Sequence, residues 1–294
     1  MNQPDWLAER FEQNRGHLRA VAYRMLGSLV EADDAVQETW LRLSRSDAGE
    51  IENLGGWLTT VVARVCLDTL RSRTSRREDS LDTQAPEPVV RDGRKLDPEQ
   101  EAVLADSVGL ALLVVLDRLT PAERLAFVLH DLFALSFDEI ASIVGRTPEA
   151  TRQLASRARR RVQGQGASVK ADLQQQREVV DTFLSALRAG DVDGIIAVLD
   201  PNVVVHVDEA AAAPGAPREV RGAANWARGA VAYSRGARFV RPALVDGSVG
   251  AVLAPQGKLS RVLRFRFRNG KIAEVDIIGD AARLGELDLG VLEG

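Results

Sequence analysis

Two all-α helical domains joined by a flexible linker and followed by an α+β domain is the architecture predicted by three observations. Apolar residues recur at helical period over about residues 5–75 and again over 99–163. Between these blocks SRREDSLDTQAPEPVVRDGRKLDP is polar, Pro-bearing and without period, as a linker is. After a short polar break, QGQGAS at 163–168, one further helical stretch gives way to alternating runs separated by Gly-containing turns, the pattern of strands. The expected boundaries are therefore 1–76, 77–98 for the linker, 99–163 and 170–294. A length of 294 residues accommodates three such units, and 45% hydrophobic with 27% charged residues supports buried cores in each.

In the first block, Ala32 to Leu43 (ADDAVQETWLRL) puts Val36, Trp40 and Leu43 on one side of a helix. Asp33, Asp34, Gln37, Glu38 and Leu41 fall on or beside the other. A leucine among exposed carboxylates fits a docking face, and equally an ordinary solvated acidic side. The next helix, GGWLTTVVARVCLDTLRSRTSRR, follows a glycine pair and ends in Arg71, Arg73, Arg76 and Arg77, a basic tail suited to phosphates. Cys66 lies in its apolar run and is the only cysteine, so an intramolecular disulfide is excluded and burial as a small hydrophobe is expected. A reducing cytoplasm fits. The N-terminus has neither the basic start nor the apolar core of a signal peptide, and the apolar run Val108 to Leu116 is too short to span a bilayer.

The second block carries the most informative segment, FDEIASIVGRTPEATRQLASRARRRV from Phe137 to Val162. Phe137, Ile140, Ile143 and Val144 form one apolar stripe, and Gly145 follows where a helix must end. Thr147 can cap a new helix through its hydroxyl, with Pro148 at the first position, where a missing N–H costs nothing. Along that second helix Ala150, Leu154, Ala158 and Val162 are expected to pack inward. Glu149, Arg152, Gln153, Ser156, Arg159 and Arg160 then point outward, with Arg157 on the flank. Arg reads guanine bidentately, Gln pairs with adenine, and further guanidiniums neutralise phosphates. The alternative is a solvated basic helix end. The net charge of −4 and pI near 5.6 argue against tight DNA binding by the chain alone and for a larger partner.

In the third block, helical QQQREVVDTFLSALRAGDVDGIIAVL precedes the alternating runs NVVVHVD, ARFVRPALVDG, SVGAVLA, SRVLRFRFRNG and KIAEVDIIG. His206 and Asp208 lie two apart on the first run, which predicts a shared face and makes them candidates for an acid/base pair, a ligand pocket or a structural hydrogen bond. Trp226, Tyr233 and Phe239 would line any cavity, although aromatics at this spacing also build cores.

The motifs DDAVQETWLRL, GGWLTTVVARVCLDTLRSR and LTPAERLAFVLHDLFALSFDEIASIVGRTPEATRQLASRARRRV, in this order, resemble regions 2 and 4 of an extracytoplasmic-function (ECF) bacterial sigma factor. The third block resembles the SnoaL-like cone, and the combination resembles the SigJ-like group, in which the extra domain modulates the sigma activity through intramolecular contact with the sigma core. The resemblance implies two partners, core RNA polymerase and promoter DNA, with no cofactor, no metal and no membrane. It assigns docking on the clamp helices of the polymerase largest subunit to Asp33, Asp34, Gln37, Glu38 and Leu41. Single-strand contacts to the minus-10 element fall to Asn53, Arg64, Asp68 and Arg71. The minus-35 element falls to Arg152, Gln153, Ser156 and Arg157, with Arg160 on phosphate. His206, Asp208 and Trp226 remain as pocket residues.

Of three segments characteristic of the group, two depart from its pattern. An LPEP-type linker is partly kept as Ala85-Pro86-Glu87-Pro88, while DEAAAAPG from Asp208 and GDAARL from Gly279 replace its DGGGK-like and NPDKL-like segments. The implied function is promoter-directed initiation without covalent chemistry. Two alternatives stand beside it: an autonomous helix-turn-helix regulator, and a SnoaL-like isomerase or cyclase with a DNA-binding appendage.

Overall fold

The computed structural model describes residues 3–46, 51–80, 109–164, 170–213 and 215–292. Most of the expected linker, including Ala85 to Pro88, and most of QGQGAS lie outside them. The described residues form two compact units. The first comprises residues 3–46, 51–80 and 116–159, and the second comprises 109–115, 160–164 and the described residues from 170 onward.

The first unit is helical throughout. Helices α1 (Gln3–Leu26), α2 (Leu29–Leu43) and α3 (Leu54–Ser80) pack around Leu18, Met25, Val36, Leu43, Leu58 and Leu67. Ser28 caps α2 by accepting from the Glu31 N–H, and Asn53 Oδ1 accepts from the Gly56 N–H at 3.0 Å at the start of α3. Phe11 meets Trp40 with ring centroids 5.0 Å apart. Helix α4 (Leu110–Asp117) leads to α5 (Pro121–Phe127), which opens on a capping box between Thr120 and Glu123. A π turn at Val128–Leu132 follows, and Ala134 at φ +56° ends it. A second capping box, Ser136 with Glu139, starts α6 (Phe137–Val144), which stops at left-handed Gly145. Helix α7 (Pro148–Gln163) begins with the Thr147 hydroxyl accepting from the Ala150 N–H at 3.2 Å. The turn, cap and first-position proline expected for the helix-turn-helix are all present.

The buried side of α7 corrects the sequence reading. Thr151, Ala155 and Ala158 are buried, while Ala150, Leu154 and Val162 are only partly so. The stripe is rotated by one residue because the Thr151 hydroxyl donates to the Thr147 carbonyl at 3.0 Å and so needs no water. Arg159, expected outward, turns back to pair with Asp131.

In the second unit α8 (Lys170–Ala189) and α9 (Val192–Ala197) precede β1 (Leu199–Val207) and β2 (Glu219–Arg221). Helix α10 (Ala223–Ala230) runs on as a 3-10 segment, Val231–Phe239. Strands β3 (Val240–Val245), β4 (Ser248–Leu253), β5 (Arg261–Arg268) and β6 (Lys271–Ile278) follow, then α11 (Ala281–Glu286) and β7 (Leu289–Gly290). The sheet order is β2-β1-β6-β5-β4-β3-β7, with β1 parallel to β6 and the other pairs antiparallel. Strands β2 and β7 are too short to show in a period-2 pattern.

Each face of this sheet has its own core. One packs Val203, Val205, Phe265 and Val275 against Phe183, Leu184 and Trp226. On the other, Val245, Val252, Val262 and Ile278 meet Leu110, Ala111, Val114 and Val115 from the start of α4, together with Val162 and Leu289. That accounts for the apolar residues on one side of LALLVVLD.

Two glycines test this description by thermal unfolding. Gly145→Ala places its Cβ in open space but at φ +73°, so a loss of roughly 1–2 kcal/mol is expected. At Gly250 a Cβ would lie 2.7 Å from the Leu263 carbonyl oxygen and 2.6 Å from Val245 Cγ2, so Gly250→Ala is expected to cost about 1–3 kcal/mol through overpacking.

Candidate nucleic-acid interface

On α7 the side chains of Arg152, Gln153, Ser156, Arg157 and Arg160 are all exposed. The structure therefore puts these five expected residues on the helix's solvent side. Arg152 is pre-oriented: its Nη1 donates to Glu149 at 2.6 Å, and its guanidinium lies over the Phe137 ring at 5.2 Å. Phe137 in turn stacks on His130, centroids 3.9 Å apart, and His130 Nδ1 sits 2.8 Å from the Leu135 carbonyl. A chain of aromatic and polar contacts thus links the π turn to Arg152.

On α3, Arg64, Asp68 and Arg71 follow one another at i, i+4 and i+7 and are exposed. Asn53 stands exposed at the helix start, where its side chain already serves as the cap. Asp68 and Arg71 lie 4.0 Å apart, a separation that leaves both open to other partners.

The outward side of α2 presents Asp34, Gln37 and Leu41, and the structure adds Val30 one turn earlier, 40% exposed. Val30, Asp34, Gln37 and Leu41 make one stripe, and two exposed large aliphatics within it mark a surface that covers a partner better than it faces water. Val30 lies N-terminal to the Ala32–Leu43 motif, outside the sequence signal. Asp33 and Glu38 are half-buried and engaged, Asp33 with Arg19 at 2.7 Å and Glu38 with Arg42 at 2.9 Å.

Residues 10–76 match the family model Sigma-70 region 2, and residues 109–162 match Sigma-70, region 4. Over 275 residues, 89% of this chain and 88% of the relative, the sequence is 41% identical to the ECF RNA polymerase sigma factor SigJ of Mycobacterium tuberculosis. The chain belongs to the ECF sigma factors. SigI of the same organism, described as a probable ECF RNA polymerase sigma factor, is 38% identical over 208 residues, 71% of this chain and 72% of that one. The crystal structure of M. tuberculosis SigJ covers 95% of this chain and 98% of its own at 33% identity and a TM-score of 0.46.

Within this sigma factor, Arg124 of region 4 was not singled out by its sequence context. Its side chain is 2% exposed, its Nε donates to the Arg24 carbonyl at 3.1 Å, and Nη1 lies 3.4 Å from Asp117. Desolvation pulls its pKa down to about 10, partly opposed by Asp117. Cys66 is fully buried, which pushes its thiol up to about 12 and makes it unreactive at neutral pH.

The three pocket residues do not surround one cavity. Trp226 is buried and stacked on Phe183 at 5.3 Å, with Phe265 edge-on to Phe183 at 5.7 Å, so these rings fill the space under the sheet. Tyr233 is 62% exposed and lines nothing. His206 is on the opposite face of the sheet from Val205. There Nδ1 faces Glu219 and Nε2 faces Glu274, each at 3.7 Å. His206, Glu274 and Asp276 come close enough to suggest a metal, but Arg264 donates to Asp276 at 2.7 Å and Arg266 pairs with Glu274. The donor set is a neutralised ion-pair network and does not fit a cation site.

Asp208 lies just beyond the end of β1, where the alternation expected from its spacing no longer holds. Its carboxylate accepts from the backbone N–H groups of Ala211, Gly279 and Asp280 at 2.8–3.0 Å and lies 3.4 Å from Arg283. It ties together the DEAAAAPG and GDAARL segments. Desolvation acts to raise its pKa, but the backbone donors outweigh it and the net shift is downward. A depressed folded-state value means stability that is complete above the unfolded value of about 3.9 and drains away as pH falls through the folded one. In denaturation followed by circular dichroism, Asp208→Asn is expected to be less stable than wild type at pH 7, and the gap should close as pH falls below about 4, wild type losing stability more steeply.

Proposed function

We propose that this chain binds core RNA polymerase and directs promoter-specific initiation, region 4 reading the minus-35 element and region 2 holding the melted minus-10 strand. The observation that carries this reading is the coexistence, at the spacings of a two-region sigma factor, of one exposed reading stripe on α7 and another on α3. Arg152 and Gln153 supply bidentate donors for base edges, Ser156 and Arg157 extend the contact along the groove, and Arg160 meets phosphate. Asn53, Arg64, Asp68 and Arg71 take the unstacked strand. Flipping a base costs a few kcal/mol and contacts of this kind offset it. The stripe Val30, Asp34, Gln37 and Leu41, with Asp33 and Glu38 at its edge, docks on the clamp helices of the polymerase largest subunit. The net charge of −4 fits a factor whose affinity for DNA is supplied jointly with polymerase. On this reading the chain works in the cytoplasm, catalyses no covalent step, and is modulated by its C-terminal domain.

Two measurements test it. In transcription from a randomised minus-35 library, Arg152→Ala is expected to relax preference at one or two positions, a discrimination loss of roughly 1–3 kcal/mol, whereas Arg160→Ala should weaken all sequences alike. In pull-down of purified core polymerase, Leu41→Asp should abolish retention. Uniform loss in the Arg152 variant would reassign that residue to phosphate, and undiminished retention of Leu41→Asp would remove α2 from the docking face.

A further inference from the structure

We propose that the C-terminal domain grips duplex DNA by its phosphates, without reading sequence, through a stripe that Arg228, Tyr233 and Arg238 form on α10 and the 3-10 segment after it.

The stripe begins in composition. From residue 220 to residue 245 the sequence holds five arginines and no carboxylate, in a protein whose net charge is −4. Folding then aims these charges. Trp226, Ala227 and Ala230 pack into the core under the sheet and leave Asn225 and Arg228 exposed on the other side of α10. Where the chain tightens into the 3-10 segment, Ala237 is buried while Tyr233, 62% exposed, and Arg238 face solvent. The contacts described for both arginines are with uncharged groups. Arg228 donates to the Ala224 carbonyl at 3.0 Å and to Asn225 Oδ1 at 3.4 Å, and the Arg238 guanidinium lies over the Phe239 ring, 4.6 Å from its centroid. The far end is held firmly. Arg188 of α8 donates to the Val240 carbonyl at 2.8 Å and Arg241 to the Arg238 carbonyl at 2.6 Å, which gathers three guanidinium groups around one short stretch of backbone.

Shape and chemistry select a duplex. Along the helical path Arg228 and Arg238 are roughly 18 Å apart, at a rise of about 1.5 Å per α-helical residue and about 2.0 Å per 3-10 residue. A duplex carries one phosphate charge per ~1.7 Å of axis, so the stripe runs past about ten of them. Exposed Ala224, Gly229, Ala232 and Gly236 present nothing bulky beside the arginines, so a sugar-phosphate backbone can come close. Tyr233 adds a hydroxyl of the kind that donates to phosphate oxygen. A platform for single strands needs successive aromatic faces, and a protein partner needs large apolar anchors. Tyr233 is the one exposed large hydrophobic residue among the described residues of this domain, which meets neither need.

Two or three phosphate contacts are weak alone, in keeping with the net charge, and they add to binding when the same molecule is already held on DNA. That this DNA is a promoter rests on the sigma reading above; the phosphate contact does not.

The full-length chain tests the stripe in two ways. First, affinity for a fluorescent duplex with no promoter sequence is measured against salt concentration. Arg228→Gln with Arg238→Gln is expected to weaken binding roughly tenfold or more at low salt and to lower the slope of log K on log salt by about 2, equally for promoter and scrambled duplexes. Arg268→Gln with Lys271→Gln, exposed at the β5–β6 turn, removes the same charge elsewhere in the domain and should leave the slope as it is. Second, p-benzoylphenylalanine in place of Tyr233 should crosslink to the duplex, both in the free chain and with core RNA polymerase present.

An unchanged slope in the Arg228 and Arg238 variant, or an equal fall in the Arg268 and Lys271 control, would overturn the proposal. So would a residue-233 crosslink that goes only to a polymerase subunit, which would make the stripe a protein-docking surface. A chain that forms no polymerase complex would strike the sigma reading instead, and the slope difference on scrambled duplex would still support the stripe.

Discussion

Everything this chain does at a promoter depends on which side of one 16-residue helix is buried. Left-handed Gly145, the Thr147 cap and the buried stripe Thr151, Ala155 and Ala158 fix the rotation of α7 about its axis, and that rotation decides which side chains can meet a groove. A turn of one residue, about 100° around a helix with 3.6 residues per turn, would carry Arg152 toward protein and Thr151 toward water. The small size of the buried residues lets the helix sit deep. Their chemistry is permissive, because the one hydroxyl among them is satisfied inside its own helix.

The same principle of satisfying polar groups locally organises the rest of the molecule. Capping boxes at Thr120 and Ser136 absorb the free N–H groups that open two short helices, α5 and α6. Asp208 does for two loops of the C-terminal domain what these caps do for helices. Arg124 is instead satisfied at long range, by the Arg24 carbonyl, with Asp117 beside it.

Legibility in the sequence followed range. The helix-turn-helix was readable because glycine, threonine and proline act on their immediate neighbours, and the three-block organisation was readable because apolar period and its interruptions are local too. The inward face of α7 was misread by one position because a hydrophobic pattern passes over Thr151, whose burial depends on a hydrogen bond. Arg124 in PAERLAF looks like any solvated helix arginine, and its burial is decided by a carbonyl 100 residues away. His206 and Asp208 were paired by a period-2 rule that ends with β1 at Val207. The exposure of Val30 lies outside the Ala32–Leu43 motif and is set by the packing of α2.

The central claim, that two separate helical regions of this chain confer promoter specificity on polymerase, is tested most directly by run-off transcription with purified core RNA polymerase on a library of genomic promoters. The account predicts discrete transcripts that appear only when the chain is added and that start at fixed positions downstream of a shared pair of elements. Core polymerase whose transcripts are the same with and without the chain would contradict it.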